Sequence, residues 1–196
     1  MRKWLKRALL GIAALCVIVL VTGLSFEQWT RWRLAQVVSP PGTPSMALPY
    51  SIDGNSVELE SGTLEGEGGD VSFLTSASGD MDGNGSSDVA VVLVHNSPGS
   101  GVFYYLNVFL NDGNEAYRLA GEDFLGDRIK FDFSQIYQEG SVSSLTGVPI
   151  HPDDYGQLVV GYYFHGPEQA FAEDPSVFLT RHWKVQDGKL VALENY

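Results

Sequence analysis

Gly79 to Val94 reads GDMDGNGSSDVAVVLV, a run of aspartates and glycines that passes without interruption into six apolar residues. Val89-Ala90-Val91-Val92-Leu93-Val94 is rich in β-branched side chains, which pack well on a pleated surface and lose rotamer freedom in a helix. An apolar run of this length bounded by turn residues predicts a strand covered on both faces. Val102 to Leu110, VFYYLNVFL, predicts a second such strand, and Arg128 to Phe133, RIKFDF, alternates as a half-exposed strand does. Leu158 to Phe164 (LVVGYYF) and Val177 to Val185 (VFLTRHWKV) complete a central set, and Ser56 to Glu60 (SVELE) alternates with period two ahead of it. Asp187-Gly188, between Trp183-Lys184-Val185 and Leu190-Val191, predicts a two-residue hairpin, because Gly accepts positive φ. Asn111-Asp112-Gly113-Asn114 marks a further turn. Helical periodicity is scarce here, although Pro167 to Ala172, PEQAFA, is compatible with one or two turns. No internal repeat is present. The expected fold is mainly β, an antiparallel sandwich or strongly curved sheet, preceded by an N-terminal transmembrane helix.

That helix is expected over 8–26, where ALLGIAALCVIVLVTGLSF contains no charge in 19 residues. At about 1.5 Å rise per residue it matches the hydrocarbon core of a bilayer. Trp4 on one side, and Trp29 and Trp32 on the other, sit where aromatic rings favour the two interfaces. Four cations (Arg2, Lys3, Lys6, Arg7) precede the run and two (Arg31, Arg33) follow it, so the N-terminus is expected in the cytoplasm. The alternative is a cleaved signal peptide, but the run is long for one and Val21-Thr22-Gly23 is a poor cleavage site. Leu15 is too large to precede a lipid-modified Cys16, the chain's single cysteine. Cys16 therefore reads as a small apolar residue of the helix, with no intrachain disulfide possible.

Glu27 to Val38 can extend this helix, and Ser39-Pro40-Pro41-Gly42-Thr43-Pro44-Ser45 stops it, since Pro lacks an amide donor and clashes with the preceding turn. The expected organisation is a basic cytoplasmic N-terminus at 1–7, a signal-anchor helix at 8–26, and a helix extension with Pro-rich linker at 27–45. An exported acidic β domain follows at 46–196. The chain would then be a single-pass protein of the cytoplasmic (inner) membrane.

Beyond position 33 the chain carries 6 basic against 23 acidic side chains, a net charge of −17. Such a surface excludes nucleic acid, whose affinity rests on Lys and Arg neutralising phosphates. With 44% hydrophobic and 12% aromatic residues, the chain is too apolar to be a disordered acidic one.

Asp80, Asp82, Asn84, Ser86 and Asp88 occupy alternate positions of the opening run. Calcium takes six to eight oxygen ligands from a tightly turning loop, and such loops supply them from alternate positions with a Gly at the reversal. Asp80, Asp82, Asn84 and Asp88 fill the first, third, fifth and ninth positions, with Gly85 between, and Ser86 at the seventh would give its backbone carbonyl. The last position, where a bidentate Glu belongs, falls on Val91. The expected affinity for Ca2+ is therefore weak, about 10⁻⁴–10⁻³ M. The competing reading is a polar Asp/Gly turn that needs no metal.

The loop and its strand resemble the calcium loops of FG-GAP and VCBS repeats, although those build propellers from several copies. Three features in order also resemble a group of small exported bacterial domains without assigned function. These are Asp88-Val89-Ala90-Val91-Val92-Leu93 with its aspartate loop, Gly99-Ser100-Gly101-Val102-Phe103-Tyr104-Tyr105-Leu106, and Leu125-Gly126-Asp127-Arg128-Ile129. Asp174-Pro175-Ser176-Val177 and Trp183 to Val191 add a looser fourth, while extra residues around Ser141–Tyr155 and Asn84 in place of Asp depart from that pattern. The resemblance implies an exported, anchored β domain and carries no catalytic residues.

Enzyme signatures are thin. His151-Pro152-Asp153-Asp154 groups an imidazole with carboxylates, and His165 or His182 would have to join them in space to build a hydrolytic metal site. Gly99-Ser100-Gly101 precedes a strand and is too short for a nucleophile elbow, so a tight turn explains it. Asp127-Arg128 reads as a structural pair at a strand start. The chain is thus expected to be a binding or structural module. The alternatives are an envelope hydrolase or an accessory subunit of a membrane assembly that docks through its helix on an unknown protein partner.

Overall fold

A computed structural model describes residues 48–193, except Ser61, Asn114 and Glu115. The segments expected to anchor the chain, 1–7, 8–26 and 27–45, lie outside the described residues. Among the described residues no helix is long and apolar enough to cross a membrane.

Eleven strands follow in order: β1 (Tyr50–Ile52), β2 (Asn55–Val57), β3 (Thr63–Leu64), β4 (Asp70–Gly79), β5 (Asp88–Asn96), β6 (Val102–Asn111), β7 (Tyr117–Asp127), β8 (Lys130–Ile136), β9 (Leu158–Phe164), β10 (Val177–Gln186) and β11 (Lys189–Leu193). The domain is mainly β, and every pairing is antiparallel. One sheet has the order β3-β4-β5-β6-β7, the other β11-β10-β9-β8, and β1 and β2 form a separate hairpin.

The two sheets share one apolar layer. Ala90 and Val92 of β5 and Leu106 and Val108 of β6 meet Leu158, Val160 and Tyr162 of β9 and Trp183 of β10 there. The opposite face of β5 and β6 carries Val91, Leu93, Tyr105 and Phe109, which pack against Leu48, Tyr50 and Ile52. The hairpin therefore roofs the far side of the larger sheet. This three-layer arrangement is why Val89–Val94 is apolar without alternation: each of its faces meets a different apolar layer.

Polar groups tie the layers at two places. Asn107, wholly buried on β6, accepts from the Ser51 N–H (2.7 Å) and donates to the Ser51 carbonyl (2.9 Å). Asp123 Oδ2 of β7 accepts from both Arg181 (2.7 Å) and the Trp183 indole (2.7 Å) of β10. A buried Trp needs such an acceptor for its N–H.

Several expectations are met and some are corrected. The strand expected over 158–164 is β9 from end to end, and Gln186 pairs with Lys189 across the expected Asp187-Gly188 turn, with φ of 51° and 72°. In SVELE only Ser56 and Val57 lie in a strand, yet Val57 and Leu59 pack inward as the alternation required. RIKFDF starts too early: Arg128 sits at φ 49° in the reversal after β7, and pairing begins at Lys130. Pro167 to Ala172 forms turns and no helix, for it lacks the apolar stripe that would hold a short helix on the sheet. Four strands have no counterpart among the expectations, the short β1 and β3 and the long β4 (DVSFLTSASG) and β7 (YRLAGEDFLGD).

Candidate metal centre

The aspartate run is the connection between β4 and β5, entered after Gly79 and left at Asp88, which pair with each other. Three anchors hold it. Met81 buries its side chain in the layer between the sheets, 4% exposed. Asp88, fully buried, accepts from the Met81 N–H through Oδ2 (2.7 Å) and from the Asn111 N–H through Oδ1 (2.9 Å). Gly156 (φ 79°) lies so close beneath the loop that a Cβ there would stand 3.0 Å from the Met81 carbonyl oxygen.

Within the loop the carboxylates order the backbone. Asp80 Oδ1 accepts from the N–H groups of Gly83 (2.8 Å) and Asn84 (3.2 Å), and its Oδ2 from Gly85 (2.9 Å). Asp82 Oδ1 accepts from the Asn84 N–H (3.1 Å). Gly83 and Gly85 both take positive φ, 78° and 84°, where a side chain would be strained.

As a result one carboxylate oxygen from each of Asp80, Asp82 and Asp88 lies within 4.8 Å of the others, graded from half-buried through exposed to buried. Among the described residues this is the one group of three such side chains placed to share an ion. Burial, opposed by the two backbone donors, pushes the Asp88 carboxyl above the usual range, and Asp82 and Asp80 push it further. Holding three carboxylates together without a counter-ion costs free energy, and a bound cation would remove that cost.

The other two expected ligands are placed differently. The Asn84 carboxamide gives its oxygen to the Ser86 N–H (2.6 Å) and its nitrogen to the Asn111 carbonyl (3.0 Å) and Asp82 Oδ2 (3.3 Å). Asn84 thus braces the loop against the end of β6. Ser86 at the seventh position donates its N–H to that brace. The sequence reading missed Asn111, which touches both Asp88 and Asn84. Its signal was the β5–β6 register: Asn96 opposite Val102 places Asp88 beside the Leu110-Asn111 end.

The chain matches no family model, no curated protein and no solved structure with which it was compared.

The remaining candidates separate cleanly. Asp127 Oδ1 accepts from the Val102 N–H (2.9 Å) and Oδ2 pairs with Arg128 (3.4 Å), whose guanidinium holds the Ser100 carbonyl. That is the structural role expected of the pair, and it also fastens the Gly99-Ser100-Gly101 turn. His151 caps a 3-10 turn at Pro152–Asp154, its Nδ1 3.3 Å from the Asp153 N–H, on an exposed loop. His151, Asp154 and His182 border one cleft, but they are not among the side chains close enough to share a metal. His165 stands elsewhere, its Nε2 donating to the Glu173 carbonyl (2.9 Å).

Proposed function

We propose that this protein is a membrane-anchored, exported β domain that acts as a binding or structural module and takes calcium weakly in the loop from Asp80 to Asp88. The observation that carries the cation reading is the convergence of the Asp80, Asp82 and Asp88 carboxylates within 4.8 Å. The apolar run at 8–26 and the charge of the remainder support anchoring and export. Val91 at the loop's last position is a core residue, 0% exposed, so the site lacks a bidentate Glu and suits the calcium levels outside cells.

Asp82 is the residue that tests it, because it is exposed and its hydrogen bonds among the described residues are the two from Asn84 within the loop. Thermal melts of the full chain in detergent micelles, with calcium and with chelator, should show a rise with calcium. A ligand that binds only the folded state stabilises by mass action, by about 1.4 kcal/mol at ten times its Kd. Asp82→Ala should leave the stability in chelator within about 0.5 kcal/mol of wild type and abolish the calcium response. A wild-type midpoint indifferent to calcium up to about 10 mM, ten times the weakest expected Kd, would make the loop a plain turn.

A further inference from the structure

The outer face of the smaller sheet carries an open cleft of about 720 Å³, bordered by the segment between β8 and β9. His182 and Lys184 alternate with the buried Trp183 along β10, so both leave the sheet on this outer side. The covering segment supplies Leu145, Val148 and Ile150, and Asp154 stands at its far end. Leu145 and Val148 remain 48% and 58% exposed, large apolar side chains left facing water.

Three polar groups in this cleft are unusually free. Lys184 is half-buried and forms no ion pair or hydrogen bond among the described residues. Asp154 gives one oxygen to the Gln157 amide (2.9 Å) and pairs with no cation. His182 makes no hydrogen bond among the described residues, and burial lowers its pKa against the opposing pull of Asp154. An ammonium and a carboxylate thus border one cleft without closing on each other. Between them lies room for a molecule that presents the opposite charge to each.

We infer that this cleft binds a small zwitterion with an apolar body, an apolar amino acid or its short peptide, whose carboxylate meets Lys184 and whose ammonium meets Asp154. The apolar side chain covers Leu145 and Val148. Net neutrality matters, because a domain of charge −17 repels a free anion and gathers cations without selecting among them. A zwitterion escapes that field and is held by the local pair alone.

Titration calorimetry on the full chain in detergent micelles tests this with four probes: L-leucine, leucyl-leucine, leucinamide, which lacks the carboxylate, and 4-methylpentanoate, which lacks the ammonium. At least one zwitterion should bind about tenfold more tightly than either truncated probe. The tighter of the two identifies amino acid or peptide as the source. Lys184→Met should weaken the zwitterion about tenfold or more and leave leucinamide unchanged, while Lys184→Arg retains binding. Asp154→Asn, which can still accept from Gln157, should weaken the zwitterion and leave 4-methylpentanoate unchanged. Each titration is run with chelator and with calcium, so that it stands apart from the Asp80–Asp88 loop. Absence of binding by both zwitterions up to about 10 mM, a standard free energy weaker than about −3 kcal/mol, overturns the inference. Affinities equal across the four probes, or unchanged in folded Lys184→Met and Asp154→Asn chains, overturn it as well.

Discussion

A single buried amide decides how the hairpin seats on the larger sheet. Asn107 matches the Ser51 N–H and carbonyl as a neighbouring strand would, at a position where both neighbours on that face of β6, Tyr105 and Phe109, are aromatic. Asn107→Ala leaves two backbone groups of a 9%-exposed residue without partners, each costing about 1–3 kcal/mol. The expected total loss is about 2–6 kcal/mol in urea unfolding. Asn107→Asp separates hydrogen bonding from volume. Its carboxylate still accepts from the Ser51 N–H but faces the Ser51 carbonyl with a charge. Protonation restores the donor, so this variant should regain stability relative to wild type as pH falls through its raised pKa. A deficit that does not shrink in acid would mean that the amide's pairing is not what holds the hairpin.

At the scale of elements, the same hairpin shows why some strands were legible and others were not. β5 and β9 were readable because both carry apolar residues facing two covered sides, a signal that survives any register. β4 and β7 hide theirs. A bulge falls between Phe73 and Thr75 in β4, and β7 is bulged at two places opposite β6, so period two breaks inside each strand. β1 has three residues, too few to show a period, yet Tyr50 and Ile52 roof the core. The aspartate cluster was visible because its spacing within one loop is local, whereas Asn111 and Gly156 reach the loop only through pairing and packing. The hairpin's turn also makes a prediction. Tyr105 donates to Asp53 Oδ2 (3.0 Å), and burial first, then Asp53 and Glu122, push its pKa up to about 12. A phenol raised above its unfolded value of about 10 adds stability that is complete below that pH and disappears as pH rises towards 12. Tyr105→Phe should cost about 1 kcal/mol at neutral pH and flatten the alkaline part of a stability profile between about pH 10 and 12. An unchanged alkaline slope would place the loss elsewhere.

For the whole molecule the governing fact is excess negative charge, −17 beyond position 33, and three of its carboxylates, on Asp80, Asp82 and Asp88, meet in one loop. Asp88 faces those two carboxylates and the N–H groups of Met81 and Asn111, and the balance raises its pKa, with burial the largest cause. A raised carboxyl favours the protonated folded state. Its contribution is therefore fully present below the unfolded value of about 3.9 and is lost as pH rises through the folded one. General repulsion among the other carboxylates acts in the same direction, so a chelated chain should lose stability from about pH 4 upward. Calcium held in this loop as proposed would reverse the sign for the loop alone. It would compete with the proton for Asp88, bind better as pH rises, and flatten the profile towards neutrality. Asp82→Ala removes the calcium effect while keeping Asp88 buried, so its profiles with calcium and with chelator should superimpose at every pH. Sodium chloride at matched ionic strength separates the two contributions, since screening weakens long-range repulsion without filling the loop. If salt flattens the profile as fully as calcium does, the acidic surface as a whole, and not the Asp80–Asp88 loop, sets the molecule's response to pH.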